Sequence, residues 1–264
     1  MMLERTLVAR NHAAQSENKI HDDAEARRYG FSGGLVPGRD VAAYMAHLPT
    51  SQWGMAWLRD GTFTVELRKP VYDGETVTIV GEETSAGEMA LEVRNPMGVV
   101  CGRGVARLAS MASAVPWPED VPSAPGRSNR PVASPAAFEP GTVFGTHYEV
   151  LTEEVGAAYL DQVGESLTLF RHPIIAHPGW LLAQANRALM ENVVLGPWIH
   201  VSSDLRNVGV VRAGDVLATR VRVAEEFERS GHRFARLTVR CCVDDRLATA
   251  IDHMVIYQPA VKRA

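Results

Sequence analysis

The chain has 264 residues with 46% in the hydrophobic set, enough to bury a substantial core as one large domain or two medium ones without disulfide or metal staples. A formal net charge of -4 and the lack of any basic run argue against a nucleic-acid surface, because phosphate neutralisation shows as a basic excess. The start of the chain carries no apolar signal region and no run of about 18 apolar residues follows, so a cytoplasmic protein without a membrane partner is expected.

The first distinctive stretch is the polar loop Ser16-Glu17-Asn18-Lys19-Ile20-His21-Asp22-Asp23. After it, Asp22, Asp23, Glu25, Arg27 and Arg28 read as a charged helix face. Next come Gly30-Phe31-Ser32-Gly33-Gly34 and Leu35-Val36-Pro37-Gly38. Beyond Gly38, the residues Val41, Tyr44, Met45 and Leu48 recur at the spacing of one helix face. Ala42, Ala43 and Ala46 fill the other face, and a helix with so little charge around its girth is one surrounded by protein. Alternation of Phe63, Val65 and Leu67 with polar neighbours predicts a strand over 62–68, with further strands over 76–80, 89–94 and 99–108 joined by glycine turns.

Seven of the fifteen prolines then fall between residues 109 and 141, a density that blocks helices and strand ladders. This predicts an N-terminal unit over 1–108, a linker over 109–141 and a C-terminal unit over 142–264. The last unit repeats the order of the first. Ala176-His177-Pro178-Gly179 precedes a helix carrying Leu182, Ala185, Leu189 and Val193, and strands are predicted over 199–205, 216–223, 234–243 and 248–257. The Pro-Gly pairs lie 141 positions apart, and Leu67-Arg68 recurs 138 positions on as Leu205-Arg206. Each half then has a Gly-acid turn, Gly74-Glu75 and Gly214-Asp215, so the halves read as a duplication.

One long helix wrapped by an antiparallel meander is the hotdog arrangement. The expected fold class is therefore α+β, a tandem double hotdog with two long central helices, whose units pair edge to edge and leave clefts beside the helices. Further association is optional, with a homodimer of such pseudo-dimers as the upper limit. Cys101, Cys241 and Cys242 sit in apolar stretches and read as buried reduced thiols. The nine histidines show no zinc-ligand spacing, so no metal or cofactor is expected. Trp53, Trp57, Trp180 and Trp198 read as packing residues.

The loop 16–23 and the glycines after it resemble the signature of the MaoC-like hydratases, in which an Asp-x-Asn-Pro-Ile-His loop precedes Gly-Phe, two glycines and the hotdog helix. Asn18, Ile20, His21, Asp23, Gly30, Phe31 and Gly38 match, while Lys19 replaces the proline and Ser16 the aspartate. Residues 63–76 are similar to the family's first long strand and turn. The resemblance implies an acyl-thioester hydratase or dehydratase acting on a 2-enoyl thioester of coenzyme A or an acyl carrier protein. His21 and Asn18 would carry the chemistry, with Ser16 at the family's acidic position and Glu17 the nearest carboxylate.

Histidine suits this work because its ordinary pKa lets it take and return a proton near neutrality. Adding water also drives negative charge onto the thioester oxygen. Gly33, Gly34, Val36, Pro37 and Gly38 frame the start of a buried helix, where free N–H groups point outward, and are expected to bind substrate.

Two other readings stay open. Thioester hydrolysis would need Glu17 or Asp22 aimed at the thioester carbon, and a non-catalytic acyl-thioester-binding protein would account for Ser16. Nothing like Asn18-Lys19-Ile20-His21 precedes the second Pro-Gly, so the second half is expected to supply walls. His177 there reads as a helix-start residue or a second polar group.

Overall fold

The computed structural model describes residues 1–108 and 121–261; the first part of the expected linker, 109–120, lies outside the described residues. The N-terminal half contains β1 (Met2–Val8), a 3₁₀ turn (Lys19–His21), α1 (Asp23–Arg28), α2 (Gly38–Asp60), β2 (Thr62–Leu67), β3 (Thr76–Ser85), β4 (Glu88–Arg94) and β5 (Val100–Arg107). Two short 3₁₀ turns follow, Arg127–Asn129 and Pro135–Phe138. The C-terminal half contains β6 (His147–Val150), α3 (Glu153–Gln162), a 3₁₀ turn (Thr168–Phe170), α4 (Pro178–Asn192), β7 (Ile199–Asn207), β8 (Val216–Arg229), β9 (His232–Val243) and β10 (Arg246–Gln258).

The strands form one sheet in the order β1-β3-β4-β5-β2-β7-β10-β9-β8-β6. Each half is a five-stranded antiparallel sheet with the same internal order, in which only β3-β4-β5 and β8-β9-β10 run as meanders. The two meet where residues 62–66 of β2 pair antiparallel with residues 202–206 of β7. Both long helices lie against this sheet and against each other, as the small and apolar residues around their girths require. Val41, Tyr44, Met45 and Leu48 on α2, and Leu182, Ala185 and Leu189 on α4, are all buried in one core that runs through both halves. The strands supply the facing layer through period-two alternation, with Val77 and Ile79 of β3 inside and their neighbours outward. This is the α+β double hotdog expected from the sequence.

Three elements had no counterpart among the expectations: β1, β6 and α3. In β1 the half-buried row is Leu3, Arg5 and Leu7, so a charged residue interrupts the apolar alternation that marks a strand. Arg5 takes that inward place because its guanidinium donates to the Gly164 carbonyl and lies 4.0 Å from Glu165. α2 is not continuous to its end: Gly54, at φ 55° and ψ -138°, breaks it before the last turns. Among the described residues no helix is long and apolar enough to cross a membrane.

Candidate active site

The loop before α2 is fastened to the opposite half through Asn18. Its side chain pairs with the peptide of Trp198: Oδ1 accepts from Trp198 N at 3.0 Å and Nδ2 donates to Trp198 O at 2.9 Å. Oδ1 also accepts from Ile20 N at 3.3 Å and so caps the turn Lys19–His21. Flipping the amide would set like against like at both Trp198 contacts, so its orientation is fixed by the network. Asn18 therefore presents N–H to His21 Nε2, at 3.3 Å.

That contact, and a second one, determine the histidine's tautomer. His21 Nδ1 lies 2.7 Å from the Leu35 carbonyl, which can only accept, so Nδ1 carries the hydrogen and Nε2 the lone pair. Burial pushes the His21 pKa down to about 4 against the opposing pull of the Leu35 carbonyl, and the Arg39 charge lowers it further. The ring is neutral at neutral pH and offers a bare nitrogen.

His21, Asn18, Ser16, Val36, Pro37 and Gly38 all line one cavity of about 280 Å³ at the N-terminus of α2. The remaining wall is mostly apolar, with Phe31, Leu35, Val41, Leu67, Ile199 and Ile256, and with Arg39, Arg68 and Lys69 as its cations. Gly38 is needed here for room: a Cβ on it would come within 2.3 Å of Leu67 Cδ1 and 3.0 Å of His200 Nδ1. The N–H groups of Gly38 and Arg39 stand in the first helical turn, where no intrahelical acceptor exists. Both residues face the cavity.

Three expected site residues lie elsewhere. Glu17 is half-exposed and pairs with Arg130 at 3.3 Å, outside the cavity, in the bend that precedes the turn Lys19–His21. Gly33 and Gly34 do not line the cavity; Gly34 N donates to Asp23 Oδ1 at 2.7 Å, which leaves that N–H unavailable to a ligand. Gly34 instead lets two backbones touch, since a Cβ there would meet the His21 carbonyl oxygen at 2.1 Å. Ser16 faces the cavity, with its hydroxyl donating to Asn18 O at 3.2 Å. Asp22 caps α1 by accepting from Glu25 N at 2.9 Å. Among the described residues no carboxylate lines the cavity.

The second half supplies more than walls. Asn186 of α4, Trp198 and His200 all line the cavity, and Asn186 Oδ1, Trp198 Nε1 and His200 Nδ1 are buried without a hydrogen-bond partner among the described residues. Leaving such groups unpaired costs about 1–3 kcal/mol each, and these three stand on the wall of the same cavity as His21. The signal for Asn186 was present in the sequence as a polar residue on the apolar face of α4.

The corresponding end of α4 is built differently. Its turn Thr168–Phe170 carries Phe170 where the first half has His21, and Glu165 stands three residues before that turn, as Ser16 does before its own. Glu165 accepts from His47 Nδ1 at 2.9 Å and from Leu167 N at 2.8 Å, and His177 Nε2 lies 3.5 Å away. His177 Nδ1 accepts from Gly179 N at 3.1 Å and caps α4, so Nε2 carries the hydrogen, 3.5 Å from the carboxylate and without hydrogen-bond geometry to it. Burial alone would raise the Glu165 pKa, but His177, His47 and the Leu167 N–H outweigh it and hold it well below the usual range. The cleft here, lined by Tyr159, Ile175, His177 and Trp180, is filled by its own side chains.

Fold and cavity together define the class: a double hotdog with a histidine-bearing cavity between its halves. No protein-family model and no curated protein matches the sequence. Solved structures match at the level of fold. A MaoC-like dehydratase superposes with a TM-score of 0.60 at 10% identity over 97% of each chain. A double-hotdog protein from Mycobacterium tuberculosis gives 0.58 at 14% identity, over 97% of this chain and 95% of that one. The dehydratase domain of RzxB from Pseudomonas fluorescens gives 0.56 at 11% identity, over 95% and 93%. Chains described as thioesterases match with lower scores. These likenesses establish the double-hotdog fold that the chain shares with MaoC-like dehydratases.

Proposed function

We propose that the protein is a hydro-lyase that adds water to, or removes it from, an acyl thioester held in the cavity at the start of α2. The observation that carries this reading is the His21 ring, whose Nδ1–H is committed to Leu35 O and whose unprotonated Nε2 is met only by the long 3.3 Å contact from Asn18 Nδ2, which a water can displace, beside the N–H groups of the first turn of α2. In the hydration direction, a water hydrogen-bonded to Nε2 gives that atom a proton as its oxygen bonds to C3 of a 2-enoyl thioester. The electron pair of the double bond moves toward the thioester oxygen, where the N–H groups of Gly38 and Arg39 meet the charge. The imidazolium then returns the proton to C2, so one water is added and the ring is restored.

Burial serves both steps. It keeps the ring unprotonated before water is attacked and makes the transient imidazolium a ready donor afterwards. Arg39, Arg68 and Lys69 suit the phosphates of a carrier arm, whether coenzyme A or an acyl carrier protein. The carboxylates that hydrolysis would need, Glu17 and Asp22, lie outside the cavity.

With crotonyl-coenzyme A, enoyl absorbance is expected to fall without release of free thiol. His21→Ala should lower kcat/KM by about two to four orders of magnitude in protein shown to be folded. Thiol release by the wild type, or no turnover of any 2-enoyl thioester, overturns the reading. The lack of a carboxylate among the described residues of the cavity wall favours one alternative, a thioester-binding protein without turnover. That reading gains support if saturated acyl-coenzyme A binds equally to wild type and His21→Ala and neither wild type nor Ser16→Asp turns over an enoyl thioester.

A further inference from the structure

Two buried histidines that the mechanism above does not use stand behind the cavity. His200 of β7 and His253 of β10 each lie 2.8 Å from Ser203 Oγ, through Nε2 and Nδ1 respectively, with ring centroids 4.4 Å apart. A serine hydroxyl has one hydrogen, so between two neutral rings it donates to one nitrogen and accepts from the other. The three side chains therefore have two arrangements. In one, His200 Nε2–H donates to Ser203, which donates to His253 Nδ1, and His200 Nδ1 is bare. In the other, every bond reverses, and His200 Nδ1 carries a hydrogen.

His200 is the member of this chain that reaches the cavity wall. It is 6% exposed, and its Nδ1 has no partner among the described residues and lies next to Gly38. Burial pushes the His200 pKa down to about 4 against the opposing pull of the Ser202 backbone, with the Arg39 charge lowering it further. Burial, and then the neighbouring His200, hold His253 well below its ordinary value. The chain thus exchanges neutral tautomers and does not take up charge.

We propose that His200 Nδ1–H is a third donor to the ligand's thioester carbonyl, beside the N–H groups of Gly38 and Arg39, with Ser203 and His253 as positioning residues that set its tautomer. The proposal rests on reading the cavity as a thioester site. A neutral imidazole fits the position, because the positive end of α2 disfavours a cation there while a fixed N–H still polarises a carbonyl. A carbonyl oxygen can only accept, so its arrival selects the arrangement with hydrogen on Nδ1. The second half then contributes a group that binds the reacting end of the ligand.

The test compares S-butyryl-coenzyme A with S-butyl-coenzyme A, a thioether that lacks the carbonyl, by calorimetric titration. His200→Phe should weaken the thioester by about 3- to 10-fold, within the range of one neutral hydrogen bond, and leave the thioether within about twofold. Ser203→Ala should cause a smaller loss, again confined to the thioester. Equal losses for both ligands, no loss for either, or no binding of the thioester by the wild type overturns the proposal. Should His200→Phe fail to fold, nitrogen-15 spectra of wild-type protein saturated with S-butyryl-coenzyme A decide: a protonated His200 Nδ1 supports the proposal and a bare one refutes it. Neither ligand can be hydrated. A carbonyl-selective loss in a protein that turns over no enoyl thioester therefore refutes the hydro-lyase reading and keeps this one.

Discussion

Asn18→Ala removes a side chain that acts as a peptide group between the two halves. The Trp198 N–H and carbonyl both lose their Asn18 partners, and the Ile20 N–H loses its cap. Each buried group left unpaired costs about 1–3 kcal/mol. Water can enter from the adjoining cavity and recover part of this, so the expected loss is about 2–4 kcal/mol, below the sum of the full penalties. Asn18→Asp should be at least as harmful, since it sets a second oxygen against the Trp198 carbonyl now 2.9 Å from Nδ2. Urea unfolding, compared at equal slope, measures the stability, and amide exchange at Trp198 reports the local opening. An Asn18→Ala protein within about 0.5 kcal/mol of wild type, with Trp198 protection unchanged, would show that the clasp is not what fastens the loop.

Ser16→Asp places a carboxylate on the cavity wall and should raise hydration of crotonyl-coenzyme A, whereas Glu17→Gln should leave it unchanged because Glu17 faces Arg130; steady-state rates distinguish the two. Glu165→Gln should lower Tm at pH 7. The folded pKa of Glu165 lies below its ordinary 4.5, so its contribution is complete above about that pH and fades as pH falls toward the folded value; a Tm gap unchanged down to about pH 2 would refute this. Asn186→Leu replaces a buried unpaired oxygen with an apolar group and should raise stability by about 1 kcal/mol while raising KM, which urea unfolding and steady-state kinetics would check together.

Much of the architecture was legible because it is written in local periodicity. The face of Val41, Tyr44, Met45 and Leu48, the two Pro-Gly helix starts and the alternation in β2 each need only a short window of sequence. β1 escaped because its inward Arg5 answers Glu165, a partner far along the chain. The same limit applies to the site. Asn18 and His21 stand three residues apart on one turn and could be matched to a motif, but Trp198 and His200 reach them across the β2–β7 junction. Their relation to the loop depends on strand pairing, for which no local pattern exists. Glu17 lies outside the cavity for a third reason: chemical type singled it out, and the direction of one side chain decides whether it faces the cavity or Arg130.

The two ends of the pseudo-dimer place different polar groups at corresponding positions. At the end of α4, Glu165 is anionic and buried, a state that is tolerable only with partners on every side. His47 and Arg5 come from the first half and His177 and the Leu167 N–H from the second, so satisfying the carboxylate also ties the halves together. Phe170, in the place that corresponds to His21, lies 4.7 Å from the His177 ring and helps to fill the space a ligand would need. At the end of α2 the same position holds His21 and the acidic position holds Ser16, so no buried charge demands to be closed over. The interface is thus filled at one end and hollow at the other, where Asn186, Trp198 and His200 carry polar atoms without a partner among the described residues.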